Sequence, residues 1–123
     1  MTTPPADPGS FRDPMSRVFV SDDAVIRSLS GDALADYEAA AASTFFAKAL
    51  ADGRIVGTER VPDDEVAALV GDDGRWEAAL RHDRIPFLSY PYEWTFEMLR
   101  DAGLLQLQLT RQALDEDVIT KDA

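Results

Sequence analysis

The sequence predicts an α+β fold with an N-terminal β-hairpin, a central helix, short strands and a long C-terminal helix. Two short runs rich in β-branched residues, at 17–20 and 25–29, flank an acidic turn, as is typical of paired strands. Apolar residues recur at helical spacing over 30–52 and again over 95–115. With 123 residues, 46% of them apolar and 28% charged, the chain has the composition of one globular domain.

The hairpin is the first ordered element that the sequence predicts. Residues 1–10 have no periodicity and are expected to be mobile. The single domain is therefore predicted to span residues 11–123, with Phe11 as the first residue that packs. The two strands are Arg17–Val20 and Val25–Leu29, and the acidic residues between them form the turn.

A central helix is predicted from Ser30 to about Asp52. Ser30 is a typical N-cap residue, and Gly53 suits the left-handed conformation in which many helices end. One face of this helix carries Leu34, Tyr37, Ala41 and Phe45.

Short elements are predicted between residues 54 and 84. Residues 54–61 have an alternating pattern and form either a strand or an extended arm. Pro62 and the three acidic residues after it favour the start of a short helix, because proline and negative charge suit the first helical turn. The segment 71–74 ends this helix, and residues 75–81 are expected to add another turn or two.

A long helix is predicted near the C-terminus. Residues 85–89 form a short strand or connector, Thr95 caps the helix, and the helix ends near Asp115 after about 30 Å. Its broad apolar face must be covered by other parts of the protein. That face comprises Met98, Leu99, Ala102, Gly103, Leu105, Leu107, Leu109 and Leu114.

Composition limits the classes of function. A formal net charge of −11 disfavours nucleic acid as a partner, because nucleic acid binding depends on neutralising phosphates. The absence of cysteine excludes disulfides and thiolate chemistry. No apolar run is long enough to span a membrane and no signal pattern is present, so no membrane association and a cytoplasmic location are expected.

Familiar catalytic and binding motifs are missing. His82 has no second ligand or nucleophile at a useful spacing and is expected to be a surface or loop residue. The acidic clusters are typical of turns and helix caps and lack the spacing of a calcium loop, so no metal site is predicted. None of the glycines considered follows a strand and opens a helix, which leaves S-adenosylmethionine, NAD and ATP without their usual loop. Those glycines are Gly53, Gly57, Gly71 and Gly74.

Residues 85–94 hold much of the aromatic mass of the protein. The hinge motif within this segment consists of Ser89, Tyr90, Pro91, Tyr92, Glu93 and Trp94. Its aromatic rings suit either stacking on a planar ligand or a packed hinge. The packed hinge is favoured, because prolines restrict the backbone and aromatic rings are usually buried.

The C-terminal segments also follow a kinase-like order, with a hinge-like segment, a long helix and then Thr120-Lys121-Asp122. In kinases an Asp after this helix accepts the proton of the substrate hydroxyl, and an Asn five residues later holds a metal ion. Asp122 is therefore a candidate base, although position 127 does not exist in this chain. Arg27, on the second strand, would stand where a kinase places its phosphate-contacting lysine, with a different geometry.

A more specific resemblance comes from Ile85-Pro-Phe-Leu-Ser-Tyr-Pro-Tyr-Glu-Trp94, the leucine-rich helix and Lys121-Asp122-Ala123. These residues closely resemble the N-terminal part of a bacterial family of class I S-adenosylmethionine-dependent methyltransferases of nodulation type. Similar segments are Asp7-Pro-Gly-Ser-Phe-Arg-Asp-Pro14, the hairpin around Arg27, and Gly53-Arg-Ile-Val-Gly-Thr-Glu59. The resemblance covers nearly the whole chain.

This resemblance implies that the chain is a truncated accessory segment, a kinase-like N-lobe and hinge, of a methyltransferase that uses S-adenosylmethionine. The catalytic domain is expected beyond Ala123, since the cofactor loop and the acidic ribose-binding residue are absent here. The chain alone is therefore expected to bind no cofactor and to be inactive. Two alternatives stay open: a fragment of a kinase-like phosphotransferase, and a binding module that self-associates through Met98, Leu105 and Leu109.

Overall fold

The computed structural model describes residues 5–120. The α-helices and strands are β1 (Ser16–Val20), β2 (Ala24–Leu29), α1 (Gly31–Ala41), α2 (Thr44–Ala51), β3 (Thr58–Arg60), α3 (Asp63–Val70), β4 (Ala78–Asp83) and α4 (Phe96–Leu114). Two short 3₁₀ helices, Pro8–Arg12 and Pro91–Glu93, accompany them. The predicted α+β class is confirmed.

The chain divides into two compact units. Unit 1 comprises Met1–Glu38 and Val56–Arg84, and unit 2 comprises Ala39–Ile55 and Ile85–Ala123. The assignment of residues 11–123 to one accessory domain stays a prediction. Within the described residues, no helix combines the length and the apolar character that crossing a membrane requires.

Unit 1 is built on a four-stranded sheet with the order β1-β2-β4-β3, in which all neighbouring strands are antiparallel. The predicted hairpin is confirmed, with Phe19 opposite Ile26. The chain reaches the sheet before Phe11, since Ala6 bridges to Phe19 and the Asp7 amide donates to the Val18 carbonyl. Phe11 itself is exposed and does not pack as predicted.

The two faces of the sheet are covered by different helices, because successive residues of a strand point to opposite faces. On one face α3 contributes Val66 and Val70 to a buried cluster. The strand and loop residues of that cluster are Phe19, Ala24, Ile26, Val61 and Ala79. On the other face Leu29, Ala78 and Leu80 pack against the partly buried Ala33, Leu34 and Tyr37 of α1.

The predicted central helix is in fact two helices, α1 and α2, separated at Ser43. The Ser43 hydroxyl donates to the Ala40 carbonyl at 2.6 Å and accepts from the Phe46 amide at 3.1 Å. One side chain therefore ends α1 and caps α2. The predicted cap at Ser30 is present, with the Ala33 amide donating to its hydroxyl at 3.3 Å, and Gly53 has the expected positive φ of 77°.

Residues 75–81 do not form the predicted helical turns. They lead into β4, which pairs with β2 on one side and β3 on the other. Ala78 and Ala79 are fully buried there, and their small side chains pack into the clusters on opposite faces of the sheet. Tertiary packing thus overrides the helix propensity of Ala, Leu and Arg.

Unit 2 pairs α2 with the C-terminal part of α4. Phe45, Ala49 and Ala113 form its buried cluster. After α4, Asp117 takes a left-handed φ of 60° and the Val118 amide donates to the Ala113 carbonyl, which turns the chain back onto this cluster. The predicted start of α4 is confirmed, since the Thr95 hydroxyl accepts from the Met98 amide at 3.3 Å.

Candidate functional site

The hinge motif forms a locally hydrogen-bonded turn that leads into α4. The Glu93 carboxylate accepts from the Tyr90 amide at 2.9 Å, which closes the 3₁₀ turn on itself. The Trp94 indole donates to the Ser89 hydroxyl at 2.8 Å across the same turn. Each of these bonds joins residues of the motif to one another, so the turn has a defined shape without help from the rest of the protein.

The two tyrosine rings of the hinge motif lie at the surface and do not form the packed hinge that the sequence favoured. Tyr92 is 83% exposed, and Phe87, just before the motif, is 82% exposed. The Tyr90 and Tyr92 rings stack on each other, with centroids 5.6 Å apart and an interplanar angle of 2°. Trp94 is half-buried, whereas the two tyrosine rings are covered mainly by each other. A functional role for the motif stays a prediction.

Helix α4 extends this exposed surface. Its only buried residue is Ala113, whereas Phe96, Leu104 and Leu107 are among the most exposed large hydrophobic residues of the described chain. The prediction that most of one apolar face is covered is therefore wrong for the structure of residues 5–120. An apolar surface of this extent is unusual for a protein that acts by itself in water.

Arg27 lies in an open cavity of about 400 Å³ in unit 1. Its guanidinium donates to the Ser16 hydroxyl at 3.3 Å, and Ser16 in turn donates to Asp13 at 2.8 Å. Asp7 also lines the cavity. The cavity therefore holds two carboxylates as well as one guanidinium, which weakens its attraction for a phosphate group. The phosphate-contacting role of Arg27 stays a prediction.

His82 lies in strand β4 and not in a loop. The Thr58 hydroxyl donates to the Val56 carbonyl, so it accepts from Nδ1 of His82, and the two atoms are 2.9 Å apart. Nε2 is enclosed and has no hydrogen-bond partner among the described residues. Burial lowers the pKa of His82, the positive charge of Arg27 lowers it further, and Asp83 opposes the shift. A neutral, half-buried imidazole in this setting is a structural residue.

Glycine at a strand-to-helix junction would mark a phosphate site. Gly31 stands at such a junction, because Ser30 alone separates it from the end of β2 and it is the first residue of α1. A Cβ atom there would lie 2.8 Å from Oε1 of Glu77, so this carboxylate lies directly beside the Gly31 backbone. Its negative charge would repel a phosphate or carboxylate ligand.

The remaining sequence candidates give no assembled site. No group of three or more His, Asp or Glu side chains suited to a metal ion occurs within residues 5–120. Asp122, the candidate kinase-like base, lies outside the described residues.

Glu116 is the one prominent carboxylate contact that sequence reasoning missed. Its oxygens accept from the Thr44 amide at 2.9 Å and the Phe45 amide at 2.6 Å, at the N-terminus of α2. These groups are over seventy residues apart in the sequence. No local pattern connects them, and the acidic run at 115–117 is by its sequence typical of a turn or a helix cap.

Comparison with known proteins gives one informative similarity. No protein-family profile matches the chain, and no solved structure matches it. The chain is similar to nodulation protein NoeA of Rhizobium meliloti strain 1021, with 34% identity over 115 residues. The match covers 94% of this chain but 23% of NoeA, so the chain spans about a quarter of the length of this curated relative. The predicted likeness to a nodulation-type protein is thereby confirmed.

Proposed function

We propose that this chain is an accessory segment of an S-adenosylmethionine-dependent methyltransferase-family protein. In this proposal the cofactor and the methyl transfer belong to polypeptide other than residues 5–120. The observation that carries it is the asymmetric match to NoeA, in which almost all of this chain corresponds to less than a quarter of the relative. Three quarters of a NoeA-type protein is more than enough for a separate catalytic domain.

The local chemistry of unit 1 supports a segment without its own cofactor site. The Glu77 carboxylate lies beside Gly31 at the strand-to-helix junction, where its negative charge disfavours an anionic ligand. The glycines with positive φ are Gly53, Gly71 and Gly74, and the first two follow the ends of α2 and α3. A nucleotide-type cofactor is bound where glycine opens a helix, because the free amides and the helix dipole attract its charged groups.

The exposed surface of unit 2 supports the proposal that this chain is an accessory segment of a larger protein. The hinge motif and α4 present many large apolar side chains to solvent. Catalytic sites are concave and combine such side chains with a few converging polar groups. A convex helix surface is instead suited to contact with another protein surface.

Calorimetric titration with S-adenosylmethionine tests this proposal. Three proteins are compared: this chain, NoeA, and a chimera in which this chain replaces the matched region of NoeA. NoeA and the chimera are expected to bind the cofactor, and this chain is expected to give no heat of binding. Micromolar affinity of the isolated chain, or no binding by NoeA, would refute the proposal.

A further inference from the structure

Helix α4 carries two apolar stripes. At about 100° per residue, Ala102, Leu109 and Ala113 share one stripe. The second stripe, which we name the outer face of α4, lies roughly 100° further round the helix. It consists of Phe96, Leu99, Gly103, Leu107 and Leu114. The two stripes differ in their surroundings, since the first contributes Leu109 and Ala113 to the core of unit 2.

The outer face is open to solvent along its whole length. Phe96 is 76% exposed, Leu107 69% and Leu114 55%. Apart from its chain neighbours and the nearby backbone of α4 itself, no atom lies within 4 Å of the position that a Cβ atom would take at Gly103. Helix α2, with 8 residues, is about 12 Å long, whereas α4, with 19 residues, is about 28 Å long. Helix α2 is therefore too short to cover most of α4, even along the inner stripe.

The middle of the outer face is free of charged side chains, and Arg100 and Arg111 lie beside it on the helix. Of the sixteen large hydrophobic residues of the described chain that are exposed, thirteen lie between Ile85 and Ile119. No charged side chain occurs from Ala102 to Thr110, although the whole chain carries a net charge of −11. Depletion of charge around exposed large apolar side chains is typical of the centre of a protein interface.

We infer that the outer face of α4 binds the part of a NoeA-type polypeptide that lies outside the match. This inference rests on the proposed function, in which that part holds the catalytic domain. A match that covers 94% of this chain must include α4, so NoeA carries the corresponding helix together with more than three quarters of additional sequence. A second copy of this chain is the rival occupant, and the net charge of −11 on each copy opposes that pairing.

The test uses two glutamate substitutions on neighbouring exposed residues. Leu107→Glu places a charge on the outer face, and Gln108→Glu places the same charge about 100° away round the helix. In the isolated chain both variants are expected to melt within about 2 °C of the wild type, because both sites are exposed. In the chimera with NoeA, Leu107→Glu is expected to lower the melting temperature by about 5 °C or more, and Gln108→Glu to leave it unchanged.

Hydrogen exchange gives a second readout on the same proteins. The α4 amides from 99 to 107 are expected to exchange at least about tenfold more slowly in the chimera than in the isolated chain. Leu107→Glu should remove this protection. Equal exchange rates of the α4 amides in the chimera and the isolated chain would overturn the inference. So would an equal effect of Leu107→Glu and Gln108→Glu on these rates in the chimera. So would a dimer of the isolated chain, seen by sedimentation equilibrium, that Leu107→Glu dissociates.

Co-expression covers the case in which the chimera does not fold. The tagged chain is expressed with the NoeA segment outside the match, and co-purification is expected for the wild type and Gln108→Glu but not for Leu107→Glu. Failure of the wild type to co-purify would overturn the inference. If the chimera binds S-adenosylmethionine but the α4 amides exchange as fast as in the isolated chain, the docking inference is refuted and the proposed function is not. If the isolated chain binds the cofactor, the proposed function is refuted, whatever the exchange of the α4 amides shows.

Discussion

Replacing Glu116 by glutamine tests how the two helices of unit 2 are held together. The carboxylate accepts from the first two amides of α2, and the Ser43 hydroxyl accepts from the third. Helix N-termini carry unpaired amides and a partial positive charge, so a carboxylate there contributes both hydrogen bonds and a charge interaction. Glutamine retains one acceptor oxygen and loses the charge.

The expected loss of stability follows from these contacts. A hydrogen bond to a charged group contributes about 1.5–3 kcal/mol and the interaction with the helix dipole about 0.3–1 kcal/mol. Because Thr44 and Glu116 are exposed, water replaces part of the lost interaction. Glu116→Gln should therefore lower the free energy of unfolding by about 1.5 kcal/mol and the melting temperature by about 5 °C.

Urea denaturation followed by far-ultraviolet circular dichroism measures this change. Asp115→Asn is the matched control, because it removes the same charge one residue away and its side chain makes no hydrogen bond to another described residue. The control is expected to stay within about 0.3 kcal/mol of the wild type. If both variants lie within that range, the contact between Glu116 and α2 does not stabilise the unit and the reasoning fails.

Two further predictions concern unit 1. Burial lowers the pKa of His82, so near and below its ordinary value of 6.5 the unfolded chain binds more protons than the folded protein. The stability due to neutral His82 is complete above that pH and is lost as the pH falls towards the folded-state pKa. Between pH of about 7.5 and about 5.5 the wild type should lose more unfolding free energy than His82→Gln, and an equal loss would contradict this account. ATP should leave the melting temperature unchanged because of the carboxylates beside Arg27, and a rise that Arg27→Ala abolishes would instead support a kinase-like role.

Elements with local signals could be predicted from the sequence. Thr95 caps α4, Pro62 precedes α3, and Gly53 has the left-handed conformation expected after a helix. In each case the signal and the structure it specifies lie within a few residues of one another. Local hydrogen bonding and backbone sterics therefore decide the outcome, whatever surrounds the element.

Strand β4 depends on distant contacts instead, and the break between α1 and α2 depends on a local choice that the sequence leaves open. The sequence Ala78-Ala79-Leu80-Arg81 favours a helix by intrinsic propensity, but its alanines fit between the two helices that cover the sheet. At Ser43 the side chain competes with the helical backbone for the same hydrogen bonds. A serine within a helical pattern does not reveal which outcome will occur.

The apolar residues of α4 could likewise be predicted only in part, because their spacing is a local signal and their burial depends on tertiary contacts. Periodicity correctly gave α4 and its apolar residues, because a helical repeat is read directly along the chain. It places Leu109 and Leu107 on neighbouring stripes, but it does not reveal that the stripe of Leu109 packs in unit 2 while the outer face around Leu107 stays exposed. A helix that uses apolar residues on two sides is expected to pack on two sides, since each exposed large side chain forgoes about 1.5–3 kcal/mol of burial. Helix α2 covers the first of these sides. The second side, the outer face, is buried only when another protein surface covers it.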